Sequence, residues 1–295
     1  MIVITAPTGL IGHQVLDKVL DGDEPVRVIA RDPSHLSPKA RERVEVVEGS
    51  HGDPAVVDQA FDGADEVFWL VPPDPQAESV YAAYVDFARP ACNAFTSQGV
   101  RRVVGISALG RGTAVAGNAG HVTATLAMDD LIASTGVSYR ALANASFMDN
   151  ILRQMDPIKN QGAFFDTVSA DRKLPAVATR DIASVAARLL LDDSWSGHDT
   201  VPLLGPDDLS YNDMAQVMSE VLDAPVRYQQ IPSEDLKSSM TGFGMSDAMA
   251  QSLVDMMVAK NEGLDHAEPR TPRSSTTPTS FRQWCEDVLK PAVQQ

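Results

Sequence analysis

Residues 1–21, MIVITAPTGLIGHQVLDKVLD, constrain the fold more than any other stretch of the chain. Ile2–Thr5 is short, apolar and β-branched, the texture of a buried strand. Gly9-Leu10-Ile11-Gly12 follows at once, and Val15, Leu16, Val19 and Leu20 then fall on one helical face. A strand feeding a glycine-rich turn that opens a helix aims backbone N–H groups and the positive end of the helix dipole at one point. That is the arrangement for gripping a pyrophosphate. Ala6 stands where the first glycine of such a loop usually stands, and Pro7 has no N–H to offer a phosphate. Alanine is a mild replacement there provided the backbone is not left-handed.

The alternation continues downstream. Val26–Ala30, Val44–Glu48, Glu66–Val71, Val103–Ser107 and Ser138–Ala141 read as further strands. Helical patterns separate them at Pro54–Phe61, Tyr81–Gln98 and Thr123–Thr135. This order predicts an α/β fold, a Rossmann-type doubly wound parallel sheet with helices on both faces. Residues 1–150 are expected to form an NAD(P)-binding core. Residues 151–295 are expected to return a helix (Ile182–Leu191) and a strand (Thr200–Leu204) to that core. They are then expected to form a smaller, mostly helical substrate lobe from Tyr211–Leu222, Pro232–Ala259 and Phe281–Leu289. The proline-, serine- and threonine-rich stretch 265–280 reads as an ordered surface crossing. Met240, Met245, Met249, Met256 and Met257 would either close over a pocket or fill an ordinary core.

Ligands of such sheets bind at the C-terminal strand ends, so the residues just after each strand carry the chemistry. Arg31 ends the second strand, where an acid would take the ribose 2′-hydroxyl of NAD; an arginine can fork onto a 2′-phosphate. NADP(H) is therefore favoured and NAD(H) possible, with a solvated strand end as the plainer alternative for Arg31. Ser50 neighbours the adenine position, and Leu70-Val71-Pro72 would pass the pyrophosphate and nicotinamide ribose. His51 reads as a surface histidine beside the helix-starting Asp53. Ser107 is placed to touch substrate or nicotinamide ribose. His121 opens a helix, where it could exchange a proton with a substrate oxygen, its pKa depressed because a cation is disfavoured at a helix N-terminus. Asn144–Asn150 mixes amides and hydroxyls with Phe147 and Met148, which suits a flat, largely apolar substrate.

Composition removes other classes. A net charge of −16 opposes nucleic acid and an anionic membrane surface. Two cysteines and six scattered histidines show no metal-ligand spacing, so no metal is expected. No GxSxG supports a serine hydrolase. No apolar run approaches the length of a membrane span. A strand already at residue 2 leaves no room for a leader, and cytoplasmic residence is the default expectation. A homodimer is compatible with the sequence.

Several segments, in this order and spacing, resemble the NmrA-like group of atypical short-chain dehydrogenases/reductases: TAPTGLIG, VIARDP, the PPDP after the fourth strand, VVGISALG, LIASTGVSYRALANASFMDN and RDIASVAARLL. The likeness covers residues 1–204 well and the tail PTSFRQWCEDVLKPAV more loosely. It implies that Thr5, Thr8, Gly9, Leu10, Ile11 and Gly12 bind the pyrophosphate and that Arg31 contacts an NADP phosphate. It further implies that Leu142-Ala143-Asn144 shapes the nicotinamide and substrate end, and that Asp181 ties a loop to a helix. One departure is large. The Tyr-x-x-x-Lys pair of typical members is missing; Asn118, Gly120 and His121 stand in its region, and no lysine lies between Arg102 and Lys159. Some quinone reductases of the group also lack the tyrosine, because a reduced quinone oxygen is a stabilised phenolate. The expectation is an NAD(P)H-dependent oxidoreductase that reduces a small aromatic quinone-like or conjugated carbonyl substrate, with His121, Ser107 and Asn144 as catalytic candidates. The alternatives are an NADP-binding redox sensor without turnover and an auxiliary pathway protein with non-redox chemistry.

Overall fold

A computed structural model describes residues 1–271 and 277–294. Its first half runs β1 (Ile2–Thr5), α1 (Gly12–Val19), β2 (Val26–Ala30), α2 (Pro38–Arg41), β3 (Val44–Glu48), α3 (Pro54–Phe61) and β4 (Glu66–Trp69). It continues through α4 (Phe87–Ser97), β5 (Arg102–Ala108), α5 (His121–Ser134) and β6 (Ser138–Asn144). There follow β7 (Ser146–Phe147), α6 (Met155–Gln161), β8 (Ala163–Asp166), β9 (Leu174–Val177), α7 (Thr179–Leu191) and β10 (His198–Leu203). The chain closes with β11 (Asp208–Leu209), α8 (Tyr211–Leu222), β12 (Arg227–Gln230), α9 (Ser233–Gly242), α10 (Asp247–Asn261), α11 (Phe281–Trp284) and α12 (Lys290–Gln294).

Seven strands pair in parallel in the order β10-β6-β5-β4-β1-β2-β3. The chain moves outward from β1 to β3, then returns to lay β4 on the other side of β1. The order therefore reverses between β1 and β4, which opens a crevice at their C-terminal ends. Both faces of the sheet are covered, which is why its strands are nearly continuous apolar runs. Ile4, Val28, Phe68 and Leu142 pack on α1 and α7 through Val15, Leu16, Ile182 and Ala186. On the other face Val3, Val67, Trp69 and Val103 meet Val57 and Phe61 of α3, Phe95 of α4, and Met128 and Ile132 of α5. A separate cluster joins Phe164, Met214 and Met218 to Phe281, Trp284 and Leu289, so the C-terminal segment packs against α8.

Three expectations change in detail. The stretch Tyr81–Gln98 is not one uniform helix: a wide π-type turn, Ala82–Asp86, precedes α4, where Phe87 N–H bonds the Ala82 carbonyl. Pro90 has no N–H to close the normal bond onto Asp86, and the turn ahead of it widens. Pro232–Ala259 splits into α9 and α10, with Ser246 capping the second helix by accepting from Met249 N–H at 3.2 Å. Of the stretch 265–280, residues 272–276 lie outside the described residues. Beyond them Thr277 Oγ1 accepts from Gly205 N–H, and Thr279 donates its N–H and hydroxyl to Asp181.

His51 is the third change. It is buried, packs edge-on against Trp69 and Phe87, and donates Nε2–H to the Leu70 carbonyl at 3.0 Å. Burial pulls its pKa down to about 4. The unfolded chain protonates this histidine near 6.5 whereas the folded one stays neutral, so the unfolded state binds the extra proton. Its contribution is complete above pH 6.5 and is lost as pH falls towards 4, reaching at most about 3 kcal/mol. Thermal melts of His51→Gln should show a lower Tm at neutral pH and a flatter fall between pH 6.5 and 4 than the parent protein.

Candidate active site

The crevice between β1 and β4 is built around one tight turn. Ala6 has φ +49°, a left-handed conformation, so the alanine stands where the backbone favours glycine and the replacement is not mild. Gly9 N–H bonds the Ala6 carbonyl at 3.0 Å. A Cβ at Gly12 would lie 2.0 Å from that same carbonyl oxygen, so only glycine lets α1 start this close to the turn. No side chain caps α1, and its first turn carries no acid. His13 N–H bonds the Gly9 carbonyl at 3.0 Å, and no side chain takes the N–H groups of Leu10, Ile11 and Gly12 ahead of it, where an anion can be met. Thr8, Gly9 and Leu10 are exposed on the rim, whereas Ile11 and Gly12 are buried at the base. Thr5 is fully buried: its hydroxyl accepts from Leu70 N–H at 2.9 Å and is shared between the Phe68 and Leu70 carbonyls. It clamps β1 to the segment after β4 and so fixes Leu70, Val71 and Pro72.

Arg31 ends β2 on the surface and makes no ion pair among the described residues. The neighbouring acid, Asp32, turns away to accept from Ser34 N–H at 2.8 Å, and the Ser34 bonds hold its carboxyl below the usual range. The only acid at this strand end is therefore committed to its own turn. Ser50 is half-buried and accepts from Gly52 N–H at 3.2 Å.

At the ends of β5 and β6 the polar side chains converge. Asn144 Nδ2 donates to the Ser107 carbonyl at 3.0 Å and to the Leu142 carbonyl at 2.8 Å; its buried Oδ1 has no partner. Ser107 is buried and gives its hydroxyl proton to Asp129 Oδ2, while Tyr139 donates to Asp129 Oδ1 at 2.6 Å. Burial pushes Asp129 up to about 6. His121 lies apart from this pair. Its ring meets Tyr84 edge-on, with Nδ1 3.4 Å from the phenol oxygen. Its pKa is lowered, as expected, but chiefly by burial, against which the Met249 backbone of α10 works. Tyr84 is pushed up to about 12 by burial and stays protonated at neutral pH. Tyr84 lies within the helical pattern Tyr81–Gln98, and nothing local in the sequence marks its hydroxyl as different.

α10 packs on the start of α5 and the turn before it, and is fastened at both of its own ends. Ser246 donates N–H to the Pro75 carbonyl at 2.9 Å and its hydroxyl to the Ala77 carbonyl at 2.7 Å. At the far end buried Lys260 bonds Ser146 Oγ at 3.0 Å and Asp265 at 2.5 Å. Between them Ala259 and Leu264 pack on Ala119, Val122 and Leu126, with Met256 at the margin. Among the described residues no three metal-ligating side chains come together, and no helix is long and apolar enough to cross a membrane.

Residues 1–281 match the NmrA-like family. The chain belongs to that family. Among curated relatives of this NmrA-like chain, the NAD(P)H azoreductase of Xenophilus azovorans is 26% identical over 258 residues, covering 87% of this chain and 86% of the relative. Quinone oxidoreductase 2 of Escherichia coli is 24% identical over 267 residues, covering 89% of each. The solved structure of an Escherichia coli NADPH-dependent quinone oxidoreductase complexed with NADPH superposes with a TM-score of 0.81 at 21% identity, over 98% of this chain and all of that one. The parallel α/β architecture is thus that of Rossmann-type proteins.

The turn gives a direct test. Ala6→Gly should raise stability by about 1 kcal/mol by relieving the left-handed alanine. Denaturant melts should show this with an unchanged m-value.

Proposed function

We propose that the protein is an NAD(P)H-dependent reductase, with NADP(H) favoured, that reduces an aromatic quinone-like or conjugated carbonyl substrate. The observation that carries this reading is the uncapped start of α1 behind the Gly12–Ala6 contact, at the reversal of the sheet. The azo- and quinone-reducing relatives and the NADPH complex of a structural neighbour support the substrate class and the cofactor.

The residues fit the cofactor. Thr8 to Gly12 would hold the pyrophosphate on backbone N–H groups, with Thr5 bracing the strand behind them. Arg31 would take the 2′-phosphate through its guanidinium, unopposed because Asp32 is engaged by Ser34. Ser50 would border the adenine. Leu70, Val71 and Pro72 would wall the ribose side, and Ser107 and Asn144 would frame the nicotinamide end. When bound, the reduced cofactor supplies a hydride. The chain's part is to exclude water beneath α10 and to orient the acceptor over the ends of β5 and β6. It must also deliver a proton to the reduced oxygen. His121 and Tyr84 form a proton-bearing pair on α5 and the turn before α4. A neutral histidine with a protonated phenol beside it suits a substrate whose reduced form is a stabilised phenolate and asks for little acid strength.

Titration with NADPH and NADH, followed by a small quinone panel read at the reduced-nicotinamide absorbance band, tests the reading. Tight NADPH binding with quinone-dependent oxidation is expected. Binding without oxidation across the panel would sink the reductase and leave the cofactor-binding regulator. Arg31→Ala should weaken NADPH binding about tenfold or more, a loss of about 1.4 kcal/mol per tenfold, and leave NADH nearly unaffected. His121→Ala should lower kcat and change its pH profile; an unaltered profile would remove His121 from the proton path.

A further inference from the structure

The Asp129 carboxylate is the buried titratable group of this region that the scheme above does not use. Three pieces of chain converge on it. Ser107 reaches it from β5, Tyr139 from β6, and the Arg111 guanidinium from the loop after β5, 3.8 Å from Oδ2. Asp129 itself projects from α5 and is 4% exposed. The space is shaped for this contact. A Cβ at Gly105 would lie 2.4 Å from the Tyr139 hydroxyl, so the missing side chain at Gly105 is what admits the phenol. Arg111 is part-exposed and also binds Asp130 at 2.9 Å and the Leu126 carbonyl at 3.1 Å, so it links the buried carboxyl to solvent.

A serine hydroxyl has one proton and two lone pairs, and an ionised carboxylate only accepts. While Asp129 is ionised it holds the Ser107 proton, and Ser107 turns only lone pairs towards the strand end. Once Asp129 is protonated its own O–H can donate to Ser107 Oγ, which frees the serine proton. We propose that Asp129, acting through Ser107, decides whether the end of β5 presents a hydrogen-bond donor or an acceptor to the substrate. The proposal rests on the reductase reading. Asp129 is a positioning residue in this scheme, and Ser107 is the group that meets the substrate oxygen. In the donating state the Ser107 O–H bonds the oxygen of the hydride-reduced substrate and stabilises its charge, while proton delivery stays with the His121–Tyr84 pair.

The groups around Asp129 leave it as the one that changes state near neutrality. Tyr139 is raised well above its ordinary value by burial and by Asp129 itself, and Cys92 of α4, close to Tyr139, is pushed up to about 12. The Arg111 guanidinium works to lower Asp129, and the Asp130 carboxylate, on the exposed side of the helix, works to raise it.

The test measures kcat with NADPH and menadione from pH 4.5 to 8, roughly spanning the buried carboxyl's range, in the parent protein, Asp129→Asn and Tyr139→Phe. The parent kcat should fall severalfold as pH rises through about 6. Asp129→Asn should abolish that inflection, because its amide donates to Ser107 at every pH. Tyr139→Phe, nearly isosteric, removes one donor from the carboxylate and should move the inflection to higher pH. Infrared titration of the protonated carboxyl stretch supplies a readout free of turnover: the band should grow on acidification in the parent and be missing in Asp129→Asn. An inflection retained in Asp129→Asn, or unmoved in Tyr139→Phe, overturns the proposal. Failure of the reductase reading is different in kind: no variant would oxidise NADPH with any acceptor, while the infrared band would still titrate and Ser107→Ala would still shift it upward.

Discussion

The contact of Gly12 with the Ala6 carbonyl sets the geometry on which the rest of the site depends. It brings the start of α1 against the end of β1, and through Thr5 it registers the segment after β4. No side chain caps the helix that begins there, and an anion is the natural complement of the N–H groups left ahead of His13. The left-handed alanine at the same turn shows that the chain tolerates local strain to keep this arrangement.

Legibility in the sequence followed the range of the interactions. The strands and the glycine turn were readable because their signals are local: β-branched runs, helical periodicity and a glycine pair. Arg31 and Asp32 were readable as a strand end, but not the fact that Asp32 would spend its carboxylate on Ser34. His51 was misread as a surface residue because its neighbours in the chain are polar, while Trp69 and Phe87, which bury it, lie far along the sequence. The break between α9 and α10 had a local signal in Gly242, Gly244 and Ser246, masked by the apolar residues on either side. Tyr84 and Asp129 carried none. A tyrosine in an apolar stripe and an aspartate in an amphipathic helix become candidates only when the sheet brings His121 and Ser107 to them.

The two ends of α10 are held in different ways. Its leading edge is held by hydrogen bonds from Ser246 to main-chain carbonyls at Pro75 and Ala77, on a part-exposed surface. Its trailing edge is held by the buried Lys260–Asp265 pair and by the packing of Leu264. Part-exposed hydrogen bonds open at lower cost than a buried ion pair whose partners would be left unpaired. The Ser246 end is therefore the more easily opened one, and the Lys260 end the fixed one.

Gly105 and Tyr139 also bear on how this chain can change over time. Any side chain at 105 collides with the phenol, so Tyr139 would have to shrink first. Loss of Tyr139 by itself leaves the Asp129 carboxylate buried with one donor fewer, which is costly in its own right. Neither position can change alone without weakening the contact that β5 and β6 hold in register.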